Sequence, residues 1–286
     1  MSGATEVVRW GNGPIAFELN TSDPEIVTYA RHVFRSWKPH ADAAVHGRWT
    51  ATRSEESFFV TPRRAPEDGD ELRPIRNAQH AVTVVEYAAI WEVVDTRRDL
   101  LCFHSALLSR GGRGVAVIGA SQSGKSTLAT ALWQAGWRLH GDDLTMIIDG
   151  MALAAPRRVS LRDESREHIG SDIWQRVPET PGYYKTKAGC LFQPMDLDGT
   201  QPEPVELVAL FFLGRRGAAT DGECQEIDPA YAAMAVLPYS NLSDPFRFPD
   251  ALPLAAEVTS KVPAWDLARR PVGQMVSTVA RLAMIK

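Results

Sequence analysis

Apolar residues cluster along this chain in short runs of two kinds, and their spacing separates strands from helices. Near the start, Val7–Trp10 and Ile15–Leu19 are parted by Gly11-Asn12-Gly13-Pro14, whose residues favour a turn, so two strands are predicted there. Glu25–Trp37 has helical spacing behind Asp23-Pro24, and proline is preset for a first helical position. Thr61–Arg76 holds three prolines, a glycine and many charges, which predicts an exposed loop or hinge. Ala81–Val94 reads as a helix leading into the core with Trp91 buried. Gly114–Ile118 is a β-branched apolar stretch suited to a buried strand, and Thr127–Trp133 sets Leu128, Ala131 and Leu132 on one helical face. Leu144–Ile148 and Glu206–Leu213 are further strands. Proline-rich stretches fall at 178–181 and 194–204. From 229 onward helices dominate, interrupted by Pro245, Pro249, Pro253 and Pro263. There is no internal repeat.

Between the Gly114–Ile118 strand and the following helix stands Gly119-Ala120-Ser121-Gln122-Ser123-Gly124-Lys125-Ser126-Thr127. This is a complete G-x-x-x-x-G-K-[ST] phosphate loop in the strand–turn–helix setting the motif needs. Backbone N–H groups from Ser121 to Ser126 would wrap a phosphate chain at the positive end of the helix dipole. Lys125 would neutralise the terminal phosphates of ATP, and the Ser126 hydroxyl would sit on Mg²⁺. Gly119, Ser121, Gln122, Ser123, Gly124, Lys125, Ser126 and Thr127 form the expected nucleotide-binding set. Downstream, Asp142 and Asp143 stand at the start of the Leu144–Ile148 strand. Neighbours on a strand face opposite sides, so one carboxylate can meet phosphate and metal while the other meets an acceptor hydroxyl. Phosphoryl transfer needs both services.

Composition narrows the partners. The chain has 286 residues, 44% hydrophobic and 23% charged, ordinary for a globular protein with a sizeable core. A formal charge of −4 argues against nucleic acid as the main partner. The three cysteines, Cys102, Cys190 and Cys224, form no C-x-x-C pair, so neither a zinc site nor a disulfide framework is indicated. No apolar run reaches the ~20 residues that would span a bilayer, and no secretory signal is visible. A cytoplasmic protein with no membrane partner is the expectation.

Three elements together resemble the C-terminal kinase domain of HPr serine kinase/phosphorylase. One is the histidine in the expected strand Phe103-His104-Ser105-Ala106-Leu107-Leu108, ahead of the loop. Another is the loop itself, and the third is Ala135-Gly136-Trp137-Arg138-Leu139-His140-Gly141-Asp142-Asp143, which looks like the family's Gly-His-Arg-Leu-x-x-Asp-Asp. They cover about residues 100–150 and extend toward the Phe211–Arg216 strand. The resemblance implies an α/β (α+β) fold like that of phosphoenolpyruvate carboxykinase, with a mixed, largely antiparallel sheet around the loop. The kinase core would occupy 96–286, with a smaller N-terminal α+β region over 1–95. It also implies an ATP-dependent kinase that phosphorylates a serine hydroxyl of a small protein or peptide. Asp142 would be the general base, His104 its neighbour, and Asp143 would lie close to Lys125 and the metal.

The stand-alone relatives that tailor ribosomal peptides, the lasso-peptide kinases among them, are the nearer match in length and in the Leu-Gly-Arg-Arg strand ending. A small-molecule kinase of the same fold and a non-catalytic nucleotide sensor are the alternatives. The chain departs from the family pattern at Gln122, where glycine is usual, and at Pro156–Glu164, which matches the family's Arg-Gly signature poorly. A second metal-ligating carboxylate therefore stays open among Asp163, Glu164 and Glu167, as does the reverse phosphorolysis. Lys185 and Lys187, in the Gly182–Gly189 loop, and Arg215 and Arg216 are either phosphate or acceptor contacts or solvated surface charges. Trp133 and Trp137, four apart on the expected helix, read as core rather than as an adenine platform. Relatives of this type assemble as oligomers, so a homo-oligomer is a further expectation.

Overall fold

A computed structural model describes residues 4–62, 74–97, 99–180, 182–193, 203–214, 224–240 and 248–284. They form two compact units, the first ending at Thr96 and the second beginning at Arg97. Most of the expected Thr61–Arg76 loop, Pro181, most of the 194–204 stretch, Arg215, Arg216 and Pro245 lie outside the described residues.

The first unit contains β1 (Glu6–Asn12), β2 (Ile15–Thr21), α1 (Pro24–Phe34), β3 (Val45–Ser54), β4 (Ser57–Pro62) and α2 (Ala78–Thr96). The strands form one sheet in sequence order. β1 and β2 are a hairpin, and α1 is the crossover that lets β2 and β3 run parallel. Asp23 starts α1 as expected: its Oδ1 accepts from the N–H of Glu25 at 2.9 Å and of Ile26 at 3.1 Å. The helix stops at Phe34, short of Trp37, which is buried in the chain beyond it. Trp10 is fully buried and stacks on Phe34 with ring centroids 4.4 Å apart. The expectation that Trp91 is buried is wrong: it is 62% exposed. Trp91 lies one turn beyond the exposed Tyr87, whereas Ala81, Val82, Val85, Ala89 and Val93 make the buried side of α2.

The second unit runs β5 (Leu101–Phe103), β6 (Ser105–Arg110), β7 (Arg113–Gly119), α3 (Lys125–Gln134), β8 (Arg138–Gly141), β9 (Thr145–Ile148), β10 (Met151–Ala154) and β11 (Val159–Arg162). It continues through α4 (Ser171–Arg176), β12 (Tyr184–Lys185), β13 (Gly189–Phe192), β14 (Glu206–Leu213), β15 (Cys224–Ile227), α5 (Pro229–Val236), α6 (Phe248–Lys261), β16 (Ala264–Leu267) and α7 (Val272–Ala283). Its main sheet has the order β15-β16-β14-β7-β6-β8. β7, β14 and β16 are parallel and the remaining pairings antiparallel, so the sheet is mixed.

Both faces of this sheet are covered, which is why its central strands read as unbroken apolar runs. Along β7, Val115 and Val117 join the core beneath Leu128 and Leu132 of α3 and Val279 of α7. Ala116 and Ile118 join the opposite core with Ala152 of β10, Ala232 of α5 and Ala255 of α6. Two small sheets, β10-β9-β5 and β11-β13-β12, complete the unit.

Three expectations change here. α3 ends at Gln134, where Gly136 takes φ 85°, so Trp137 lies past the helix rather than on it. It is buried all the same, and Trp133 packs against the same core. The C-terminal α6 continues through Pro253 instead of breaking there. His104 is not inside a strand but in the joint between β5 and β6. No helix among the described residues is long and apolar enough to cross a membrane.

Candidate functional site

The phosphate loop leaves β7 at Gly119, closes a tight turn through Ser123 N–H to the Ala120 carbonyl at 3.1 Å, and enters α3 at Lys125. Gly119 is forced by space: a Cβ there would sit 2.7 Å from Ser123 Oγ and 2.9 Å from the Leu213 carbonyl oxygen at the end of β14. Gly124, at φ 101°, adopts a conformation only glycine takes freely. Gln122 occupies the left-handed region too, at φ 66°, which costs a residue with a Cβ about 1 kcal/mol. The lysine is already housed: Nζ of Lys125 donates to the carbonyls of Gly119 at 2.8 Å and Ala120 at 3.0 Å. Burial pushes its pKa down, partly opposed by the charge of Asp142. Thr127 Oγ1 is 2.9 Å from the hydroxyl of Ser165, in the 3₁₀ turn Asp163–Glu167.

The rest of the site lies where two strands change sheets. β5 pairs with β9 in a small sheet, and after His104 the same chain continues as β6 in the main sheet. β8 belongs to the main sheet, and after Gly141-Asp142-Asp143-Leu144 the chain continues as β9 in the small one. Both crossings meet at one seam, pinned by the buried bond from Ser105 Oγ to Thr145 Oγ1 at 2.6 Å. Asp143 is at φ 76°, so the aspartate pair is a turn and not the start of a strand.

This turn gives the two carboxylates different surroundings. Asp142 is fully buried, and its Oδ2 accepts from Ser126 Oγ at 2.7 Å and from the Ser160 N–H at 3.3 Å. Its Oδ1 is buried without a protein partner. Asp143 is 24% exposed; its Oδ1 is 3.0 Å from Nε2 of His104, and its Oδ2 pairs with the buried Arg157. The resemblance makes His104 the neighbour of Asp142 and sets Asp143 near Lys125 and the metal; in the structure the direct contacts of these groups are His104 with Asp143 and Ser126 with Asp142. The His104 pKa is pushed down to about 4, by burial first and then by Lys125 and Arg157, against the pull of Asp142. A neutral imidazole at pH 7 can therefore donate Nε2–H to Asp143.

The Asp142–Ser126 pair fits Mg²⁺. A buried carboxylate oxygen with no donor is costly to maintain unless a cation completes it. A carboxylate and a hydroxyl are hard oxygen ligands of the kind Mg²⁺ takes alongside substrate phosphates.

Of the remaining candidates, Asp163 is paired with Lys185 at 2.7 Å, and Glu164 and Glu167 are exposed beside it, as is Lys187. The structure gives none of these a contact with the phosphate loop. Sequence reading missed three residues that reach the site. Arg157 stood in a segment noted only for its poor match. Ser165 and Arg269 carried no signal, and Arg269 comes from beyond the end of β16, with Nη2 3.5 Å from the Ser123 carbonyl.

No family model and no curated protein matches the chain. Among solved structures, the Hpr(Ser) kinase/phosphatase from Coxiella burnetii is similar at 16% identity, covering 63% of this chain and 93% of that one, with a TM-score of 0.34. A likeness of that size carries no argument, so the chemistry rests on the geometry.

Proposed function

We propose that this chain is a kinase that transfers the γ-phosphate of ATP to a hydroxyl group. The observation that carries this reading is the Ser126–Asp142 contact with its orphaned Oδ1, beside a second, accessible carboxylate. The loop N–H groups hold the phosphate chain, and Lys125 exchanges its two carbonyl partners for phosphate oxygens. Ser126 and Asp142 would hold Mg²⁺, which when bound would offset the charge on the phosphates.

Asp143 faces the accessible side and takes the acceptor proton. The hydroxyl O–H bond breaks toward Asp143 as the oxygen bonds to the γ-phosphorus, and the bond from that phosphorus to the β-phosphate oxygen breaks to release ADP. His104 and Arg157 fix the orientation of Asp143 by holding one oxygen each. A weak base suffices, because the proton leaves late in a loose transition state. Relative to the family's pattern, the pair exchanges duties.

The proposed acceptor, a serine of a small protein or ribosomal peptide, follows from the sequence resemblance. The test is transfer from γ-labelled ATP with Mg²⁺ to seryl peptides encoded by neighbouring genes. Asp142→Asn is expected to lower transfer about 10³-fold while raising the Mg²⁺ requirement, and Asp143→Asn to lower it comparably at an unchanged Mg²⁺ requirement. Label on a metabolite instead of a peptide reassigns the acceptor. Transfer unaffected by Asp142→Asn removes Asp142 from the site chemistry, and ATP binding with no label on any acceptor sinks the kinase reading.

A further inference from the structure

The parallel strands β7, β14 and β16 end at the same edge of the main sheet, the edge at which ligands of open α/β sheets bind. β7 supplies the phosphate loop. β14 ends at Leu213, and Gly214 after it turns away at φ 70°. β16 ends at Leu267, and Arg269 follows two residues on, after Ala268. Its guanidinium lies against the loop: Nη2 is 3.5 Å from the Ser123 carbonyl, and a Cβ on Gly214 would be 3.7 Å from Nε of Arg269 and 3.9 Å from Cβ of Ser123. Arg269 and Ser123 therefore meet at the tip of the loop, with Gly214 leaving open the space a side chain would fill beside them.

The contact with Ser123 is long for a charge-assisted bond, and Arg269 is exposed. Among the described residues no carboxylate pairs with it. The guanidinium thus stands beside a ring of N–H groups, at the positive end of α3, with its bonding capacity largely unused. Two positive features held side by side repel each other and act together on an anion.

We infer that Arg269 is a nucleotide-binding residue that grips the phosphate chain from the β16 side of the loop. This rests on the kinase reading above and adds a specificity element to it. The loop amides and Lys125 are common to phosphate loops in general, whereas an arginine delivered from a third strand can hold two phosphate oxygens at once. Its contribution should grow with the number of phosphates, so the residue would set the preference for triphosphate over monophosphate.

The test is fluorescence titration of wild type, Arg269→Ala and Arg269→Lys with N-methylanthraniloyl ATP, ADP and AMP in the presence of Mg²⁺. Lys261→Ala, at an exposed position paired with Glu257 on α6, is the control. Arg269→Ala is expected to weaken ATP about 10- to 100-fold and AMP by less than about threefold. Arg269→Lys should recover part of the ATP loss, and Tm should stay at the wild-type value because the side chain is exposed. A merely structural role would weaken the three nucleotides alike. Equal ATP affinity in wild type and Arg269→Ala overturns this inference and leaves the kinase reading standing. Failure of the wild type to bind any of the three overturns both.

Discussion

In the first unit the largest buried side chains are aromatic and aliphatic: Trp10 and Phe17 are fully inaccessible, with Ile15 and Leu19 beside them. Among the described residues its buried charges are Glu86 and Asp23, the latter a helix cap. The second unit buries Lys125, His140, Asp142, Arg157 and Arg158, each at most 5% exposed. Burying a charge costs several kcal/mol unless partners repay it. Arg158 is repaid structurally, by the Gly182 carbonyl at 2.7 Å. Lys125, Asp142 and Arg157 collect instead around the loop and the seam, where one carboxylate oxygen is left unmatched. One unit is built for its own cohesion, and the other tolerates electrostatic cost where a ligand can relieve it.

This contrast can be broken most severely in the first unit. Trp10→Ala removes a fully buried ring from a stacked pair and should cost about 3–5 kcal/mol of stability. Chemical denaturation followed by tryptophan fluorescence measures it. Nucleotide Kd, read under native conditions, should stay within about twofold if the two cores have separate tasks.

Acid should press on the second unit instead. Burial foremost, and then Arg138, pushes the His140 pKa down to about 4 from an ordinary 6.5. The unfolded chain then holds more protons between those values, so stability is complete above pH 6.5 and is lost as pH falls through about 4. The loss approaches about 3 kcal/mol for this residue at the acid end. His104 titrates in the same sense and window, with a smaller effect because it is half-exposed. Urea midpoints between pH 4 and pH 7.5 should show a shallower slope for His140→Gln than for wild type. Parallel slopes would remove His140 from the account. The smallest effect is Asp23→Ala, which deletes the α1 cap and should cost about 1 kcal/mol by the same urea assay, with phosphotransfer unchanged.

What could be read from the chain follows from how local each feature is. The phosphate loop is nine consecutive residues, and the burial of β7 on both faces appears in its sequence as an unbroken apolar run. The α1 start was legible because Asp23 and Pro24 act on the very next residues. The seam was not legible, since Leu101–Phe103 and Ser105–Leu108 look like one strand until their partners are known. A change of sheet at His104 is a fact about β9 and β7, which lie far along the chain. Arg157 and Arg269 come from segments with no periodic signal at those positions. Trp91 failed for another reason: Val82, Val84, Val85, Ala88, Ala89, Ile90 and Val93 surround most of α2, so the buried side cannot be told from spacing alone.

The housing of Lys125 has a consequence for when its desolvation falls due. Its ammonium gives up most of its water during folding, held meanwhile by the Gly119 and Ala120 carbonyls. On the proposed reading, an arriving phosphate would not have to strip that hydration shell; it would only have to displace two neutral oxygens that the loop itself provides. On that reading, part of the work of recognition would be done during folding, at a cost in stability.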